Sequence, residues 1–158
     1  MEKIINMPLT EETISGLIAG DRVLLNGIIY TGRDAVHKRL AEMIEKGEDL
    51  PMDIKNQTIY YVGPCPAKPG QVIGSAGPTT SGRMDAYAPL LMEHGLKGMI
   101  GKGLRSQQVV DSIIKNNAVY FAAIGGAGAL LAEAIKEAEV IAFPDLGAEA
   151  IYKLRVEN

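Results

Sequence analysis

Gly74-Ser-Ala-Gly-Pro-Thr-Thr-Ser-Gly-Arg-Met-Asp85 is the stretch from which the rest of the chain can be read. Three glycines, one proline and four hydroxyl side chains precede Arg83. Strand-like apolar sequence leads toward it over residues 58–62, and a helical apolar pattern follows from Ala86. Glycines open backbone conformations closed to other residues, and free N–H groups near a helix start favour an anion. Thr79 and Thr80 add hydroxyl donors. Arg83 adds a planar fork suited to a carboxylate or phosphate. Two readings stand side by side here: a long structural turn before a helix, or an anion cradle.

The spacing of Gly77 and Gly82 is that of a phosphate-binding P-loop. Arg83 replaces its lysine, however, and Met84 replaces the Ser or Thr whose hydroxyl holds Mg²⁺. The nucleotide reading therefore loses its metal ligand, and an anion without a nucleotide is the better fit. Gly126-Ala-Gly128 similarly resembles a dinucleotide turn, but Leu131 stands where a third small residue is needed, so close backbone packing is its expected role.

With 158 residues the chain suits one domain, residues 1–158, with a real core. Apolar residues make up 47%, without a run near the ~20 residues of a membrane span. The N-terminus carries no basic-then-apolar signal. The single cysteine, Cys65, excludes an internal disulfide, and one thiolate cannot hold an iron–sulfur cluster. A net charge of −3 disfavours a nucleic-acid partner. A soluble, cytoplasmic protein is expected, with any anion site a local basic cluster on an acidic body.

Periodicity predicts an α/β chain. Residues 1–10 read as an edge strand or arm, and residues 10–17 as a short helix. Residues 22–30 read as two short strands joined by a tight turn at Asn26-Gly27. A helix follows, with Thr31 as its cap and Asp34 at the capping-box position. Its buried face is expected to hold Val36, Leu40, Met43 and Ile44, and Gly47 ends it. Arg33 sits at its N-terminal end, either as a surface arginine or for an anionic partner, because a cation there opposes the helix dipole. Residues 57–62 form a buried strand, and the Pro-rich residues 63–70 a shaped loop in which Cys65 is given no chemistry. Residues 86–94 form a helix starting just after Arg83, with Asp85 as cap and Pro89 in the first turn. Residues 97–101 form a strand that delivers Gly101-Lys102-Gly103 as a flexible, close-approach loop. Ser106 caps a helix over residues 106–116 with Val109, Val110, Ile113 and Ile114 inward. Strands are expected at 119–124, at 140–143 and through Tyr152, Leu154 and Val156, and a helix at 129–137. His37 and His94 fall on helices with no third ligand beside them, so they are expected to be satisfied or surface histidines rather than ligands.

Four stretches together carry a family resemblance: Gly32-Arg33-Asp-Ala-Val-His37-Lys-Arg, Gly63-Pro-Cys-Pro-Ala-Lys-Pro-Gly70, the Gly74-to-Asp85 string and Gly101-Lys102-Gly103. They resemble the β subunit, or C-terminal region, of the iron–sulfur class I fumarate hydratase and L(+)-tartrate dehydratase family, over residues 20–157. The resemblance implies a swivelling β/β/α three-layer domain. It implies a hydro-lyase, catalysing reversible hydration of fumarate to malate, that works only with a fumarase-type α subunit, as an α2β2 hetero-oligomer. It places a [4Fe–4S] cluster on that α subunit, held by three cysteines, and none on this chain. By position in the motifs it makes Arg33, Thr79, Arg83 and Lys102 substrate-binding, with Thr79 a candidate proton acceptor and Arg83 its stabilising cation. Members of the family commonly run on past the last strand, so a chain ending at Asn158 is expected to be a short member or a piece. Fumarate and tartrate are both four-carbon dicarboxylates, and these residues fit either. A domain of this fold that binds an anion without a catalytic partner is the rival of another class.

Overall fold

The computed structural model describes residues 2–64, 69–74, 80–123 and 134–157. Seven strands form one mixed sheet: β1 (Glu2–Asn6), β2 (Arg22–Thr31), β3 (Thr58–Tyr60), β4 (Gly98–Gly101), β5 (Val119–Ala122), β6 (Ile135–Ala142) and β7 (Ile151–Val156). Their order is β5-β4-β3-β2-β7-β6, and β1 pairs with β2 off this path. Strands β2, β3, β4 and β5 run parallel, whereas β7 is antiparallel to both β2 and β6. Parallel neighbours need crossovers. Three helices supply them: α2 (Asp34–Glu45), α3 (Ala88–Glu93) and α4 (Gln107–Asn116), after a short α1 (Glu11–Ser15).

Alternation along β3 and the residues after it decides the layers. Ile59 and Tyr61 face one side with Val36 and Leu40 of α2, Leu91 of α3 and Val109 of α4. Tyr60 and Val62 face the other, with Ile5 of β1, Leu9, Ile14 of α1, Ile100, Phe121 and Leu154. All three crossover helices therefore lie on one face. The opposite face is covered by β1, the start of β2 and α1, which gives the β/β/α three-layer arrangement that the family resemblance implies.

Several local expectations give way to tertiary pairing. Asn26-Gly27 is no hairpin turn, because β2 runs unbroken through it. Its first half pairs in parallel with β1, Glu2 opposite Arg22 to Asn6 opposite Asn26. Its second half pairs with β3 and β7. Gly27, at φ +116°, is the changeover, and a Cβ there would lie 3.1 Å from the Met7 carbonyl oxygen. Thr31 does not cap α2. Buried at the end of β2, its hydroxyl donates to the Ala150 carbonyl (3.3 Å) and accepts from the Tyr152 N–H (3.0 Å), joining β2 to the start of β7. Arg33 takes the N-cap position without a side-chain cap bond. Ser106 caps α4 as expected, and Thr10 caps α1.

The helix expected from Ala86 begins at Ala88, behind a 3₁₀ turn over Ser81–Met84, with Pro89 in its first turn. Asp85 does not cap it, because Arg105 and the Ser106 N–H take its carboxylate. On α4, Val109 and Ser112 point inward, while Val110 and Ile114 are 37% and 74% exposed. Four adjacent apolar positions span more arc than one packed stripe can bury. Of the helix expected at 129–137, residues up to 133 lie outside the described ones. Ala134 is a turn, and Ile135 already opposes Val156 in β6. The ladder overrides the helix-forming Lys-Glu-Ala-Glu run.

His37 is fully buried on α2. Its Nδ1 lies 2.8 Å from the Arg33 carbonyl and so must carry the proton, and its ring meets Tyr61 edge-on at 5.2 Å. Nε2 is buried and has no hydrogen-bond partner among the described residues. Burial pushes the imidazolium down to about 4 from an ordinary 6.5; the Arg33 carbonyl opposes this, Arg105 adds to it and Asp34 opposes it. The folded state thus holds His37 neutral where the unfolded chain takes up a proton. Stability is retained above the unfolded value and is lost as pH falls from about 6.5 toward 4, by roughly 3 kcal/mol at completion. Urea unfolding of the parent and of His37→Gln between about pH 7 and about pH 4.5 checks this. The parent should lose midpoint more steeply than the variant. Equal slopes would assign the acid sensitivity to the carboxylates alone.

Candidate active site

Ligands of open α/β sheets bind beyond the carboxyl ends of the parallel strands. Here β2, β3 and β4 end in Gly32-Arg33, in Val62-Gly63 beyond Tyr60–Tyr61, and in Lys102. Arg33 lies against the Gly63 backbone, where an added Cβ would come within 2.9 Å of Arg33 Cδ. Its side chain is 27% exposed, and Nε is 4.0 Å from Glu149 Oε1, too far for a hydrogen bond. That Nε is buried and finds no hydrogen-bond partner among the described residues.

Arg83 comes from the 3₁₀ turn. Its Nη2 pairs with Asp34 Oδ2 at 2.7 Å, with the guanidinium side chain 55% exposed. Asp34 follows Arg33 directly, so this ion pair draws the two arginines to the same helix start. Its other oxygen, Oδ1, is buried and has no hydrogen-bond partner among the described residues. The sequence placed Asp34 as part of a capping box; the structure makes it the counter-ion of Arg83.

Lys102 is joined to the same turn through its backbone. It forms an isolated parallel bridge with Thr80, and the Ser81 N–H donates to its carbonyl at 2.9 Å. Its exposed ammonium makes no ion pair among the described residues. The close approach expected at these glycines is found at Gly101. A Cβ on Gly101 would sit 2.1 Å from Ser81 Oγ and 2.8 Å from Tyr61 Cδ2, so Gly101 exists for close approach. Thr79 and Cys65 lie outside the described residues. Arg33, Arg83 and Lys102 are brought together at one end of the sheet.

Beneath them lies a group that sequence reading missed. Arg105 Nε donates to Asp85 Oδ1 at 2.8 Å, and the side chains are 3% and 16% exposed. The guanidinium also donates to the Tyr61 hydroxyl at 3.2 Å and lies over the Tyr61 and Tyr120 rings at 5.2 and 4.8 Å. Burial opposes the Arg105 charge, but Tyr61 and Asp85 together raise its pKa above the ordinary value. Ser81 Oγ and Tyr120 Oη are 2.7 Å apart, and Tyr120 donates to the Gly103 carbonyl at 3.0 Å. The only signal in the sequence for this group was an arginine one residue before a helix cap.

Two arginines at a helix start, with a lysine on the adjoining loop, can clamp the carboxylates of a small dianion. Among the described residues, no three His, Cys, Asp or Glu side chains could hold a metal ion. A shallow groove of about 350 Å³ on β2, β6 and β7 shares no residue with the cations, and its Arg155 already pairs with Glu137 at 3.4 Å. No helix of the described residues is long and apolar enough to cross a membrane.

Known proteins carry similar sequence over nearly the whole chain. The chain is 45% identical over 158 residues to the anaerobic class I fumarate hydratase of Escherichia coli (strain K12), covering 98% of this chain and 29% of that protein. It is 43% identical over 149 residues to fumarate hydratase 2 of Leishmania major, covering 93% of this chain and 26% of the relative. It is also 38% identical over 155 residues to a Methanocaldococcus jannaschii protein named for the beta subunit of L(+)-tartrate dehydratase, covering 95% of this chain and 80% of that one. The chain thus spans under a third of the two fumarate hydratases but most of the subunit. Residues 2–158 match the family described as Fumarase C-terminus, and the chain belongs to that family.

Proposed function

We propose that this chain is the swivelling, substrate-closing domain of a class I fumarate hydratase, a hydro-lyase that interconverts fumarate and malate. The observation that carries the reading is the convergence of Arg33, Arg83 and Lys102 at one sheet end of a chain whose net charge is −3. Its catalytic partner is an α subunit, or an N-terminal region, carrying a [4Fe–4S] cluster. This chain's one cysteine fits that division, because one thiolate cannot hold a cluster. When bound on that partner, the cluster supplies Lewis-acid polarisation of a substrate oxygen. The tartrate dehydratase reading stands second, favoured by the Methanocaldococcus jannaschii relative, most of whose length this chain spans.

The chain's own residues have three tasks. Arg33 offers its guanidinium to one carboxylate. Arg83 exchanges Asp34 for a substrate carboxylate, and Lys102 adds a mobile ammonium. In the dehydration direction Thr79 takes the proton from the carbon α to a carboxylate while hydroxide leaves the neighbouring carbon, and the double bond forms. Negative charge builds on the carboxylate during proton removal, and positioned cations stabilise it. A threonine hydroxyl is a poor base near neutrality, so the Arg83 charge four residues away has to stabilise its alkoxide.

Co-expression with a cluster-carrying partner, anaerobic reconstitution, and assay on fumarate, malate and tartrate test the reading. The complex should turn over a dicarboxylate, and the chain alone should be colourless and inactive. Cluster absorbance with turnover from the chain alone would overturn the division of labour. In the complex, Arg83→Lys should be nearly as harmful as Arg83→Ala, because an ammonium cannot reproduce the fork. Each should lose on the order of 2–4 kcal/mol of transition-state stabilisation with little change in Tm. Melting of Arg83→Ala with normal turnover would make the residue structural.

Thr79→Val keeps the shape and removes the hydroxyl. With cluster content verified, it should lower kcat by about 10²-fold, and Thr80→Val should do so less. A near-normal kcat for Thr79→Val moves the proton acceptor to the partner.

A further inference from the structure

We infer that Tyr120 is the positioning residue for Lys102: its hydroxyl sets where the Lys102 backbone stands and thereby how tightly the substrate dianion is held. The inference rests on the functional reading above. Lys102 reaches its ligand on a flexible four-carbon stem, so the placement of its ammonium begins with the placement of its Cα.

Three carbonyls around that Cα are held. Gly101 O accepts from the Ala123 N–H at 2.7 Å, Lys102 O from the Ser81 N–H at 2.9 Å, and Gly103 O from the Tyr120 hydroxyl at 3.0 Å. The first belongs to the β4–β5 ladder. The other two are specific to this corner, and the Tyr120 hydroxyl takes part in both halves of it. Having donated its one proton to Gly103, it can only accept from Ser81 Oγ, 2.7 Å away. One oxygen thus joins the residue after Lys102 to the first residue of the Arg83 turn.

Tyr120 itself has little freedom. It lies opposite Met99 in the β4–β5 ladder, and the Arg105 guanidinium sits 4.8 Å from its ring centre. Arg105 is held by Asp85, which follows the Arg83 turn. The contacts close a ring from residues 81–85 through Arg105 and Tyr120 back to Ser81. Ser81 is fully buried, so loss of the phenol oxygen leaves its hydroxyl without this acceptor and frees the Gly103 carbonyl to water.

Tyr120→Phe removes that oxygen and keeps the ring over Arg105. In the reconstituted complex it should raise KM for the dicarboxylate about 3- to 10-fold and change kcat less than about 2-fold, because a binding cation is displaced without touching the chemical step. Lys102→Met should raise KM further. The double variant should have the KM of Lys102→Met alone within about 2-fold, because residues acting through one another do not add. An unchanged KM for Tyr120→Phe, even with a lowered Tm, makes the residue structural and overturns the inference. So does a double variant in which the two KM effects multiply. A Lys102→Met variant with parental KM in an active complex removes Lys102 from the substrate and the inference with it. A parent complex that turns over none of fumarate, malate or tartrate instead overturns the functional reading on which the inference rests.

Discussion

The carboxylate of Asp85 and the guanidinium of Arg105 meet in a place that water scarcely reaches. Two charges taken out of water cost more than their attraction returns unless further bonds satisfy them. Here they are satisfied: Asp85 accepts from Arg105 and from the Ser106 N–H, and Arg105 reaches the Tyr61 hydroxyl between two aromatic faces. Removing either partner leaves the other charged and buried, a loss on the order of 3–5 kcal/mol. The pair holds the end of the Arg83 turn against the start of α4. Lys102 precedes Arg105 by three residues, so the same anchor fixes the approach of both cation-bearing loops.

Much of this was legible in the chain. Apolar runs at 57–62, 97–101 and 119–124, separated by helical patterns, give parallel strands with crossovers, and the structure places β3, β4 and β5 there. Ser106 was readable as a cap because its hydroxyl serves a backbone N–H three residues away. Where side chains serve a distant partner, local reading fails. Thr31 joins β2 to β7 across 119 residues of sequence, and Asp85 holds an arginine 20 residues on. No periodicity reports such contacts.

The site divides along the same line. That Arg33, Arg83 and Lys102 belong together came from motifs, and the structure gathers them at one sheet end. That Asp34 holds Arg83, and that Tyr120 and Ser81 hold the Lys102 backbone, depends on three-dimensional closure of loops far apart in the chain. Gly101 lies between these cases. A glycine before a lysine suggests looseness, yet the missing side chain is what lets Ser81 and Tyr61 press against the strand.

Asp34 gives the site a resident tenant. A carboxylate arriving at Arg83 replaces one that is already 2.7 Å from the guanidinium, so that contact is an exchange of like for like. An acid with a single carboxylate would gain little from the swap. An acid with two gains from its second group, which finds the Arg33 guanidinium, whose Nε makes no hydrogen bond among the described residues. On the proposed reading, discrimination between one charge and two is then built into the domain, because the first carboxylate only evicts and the second is the one that binds.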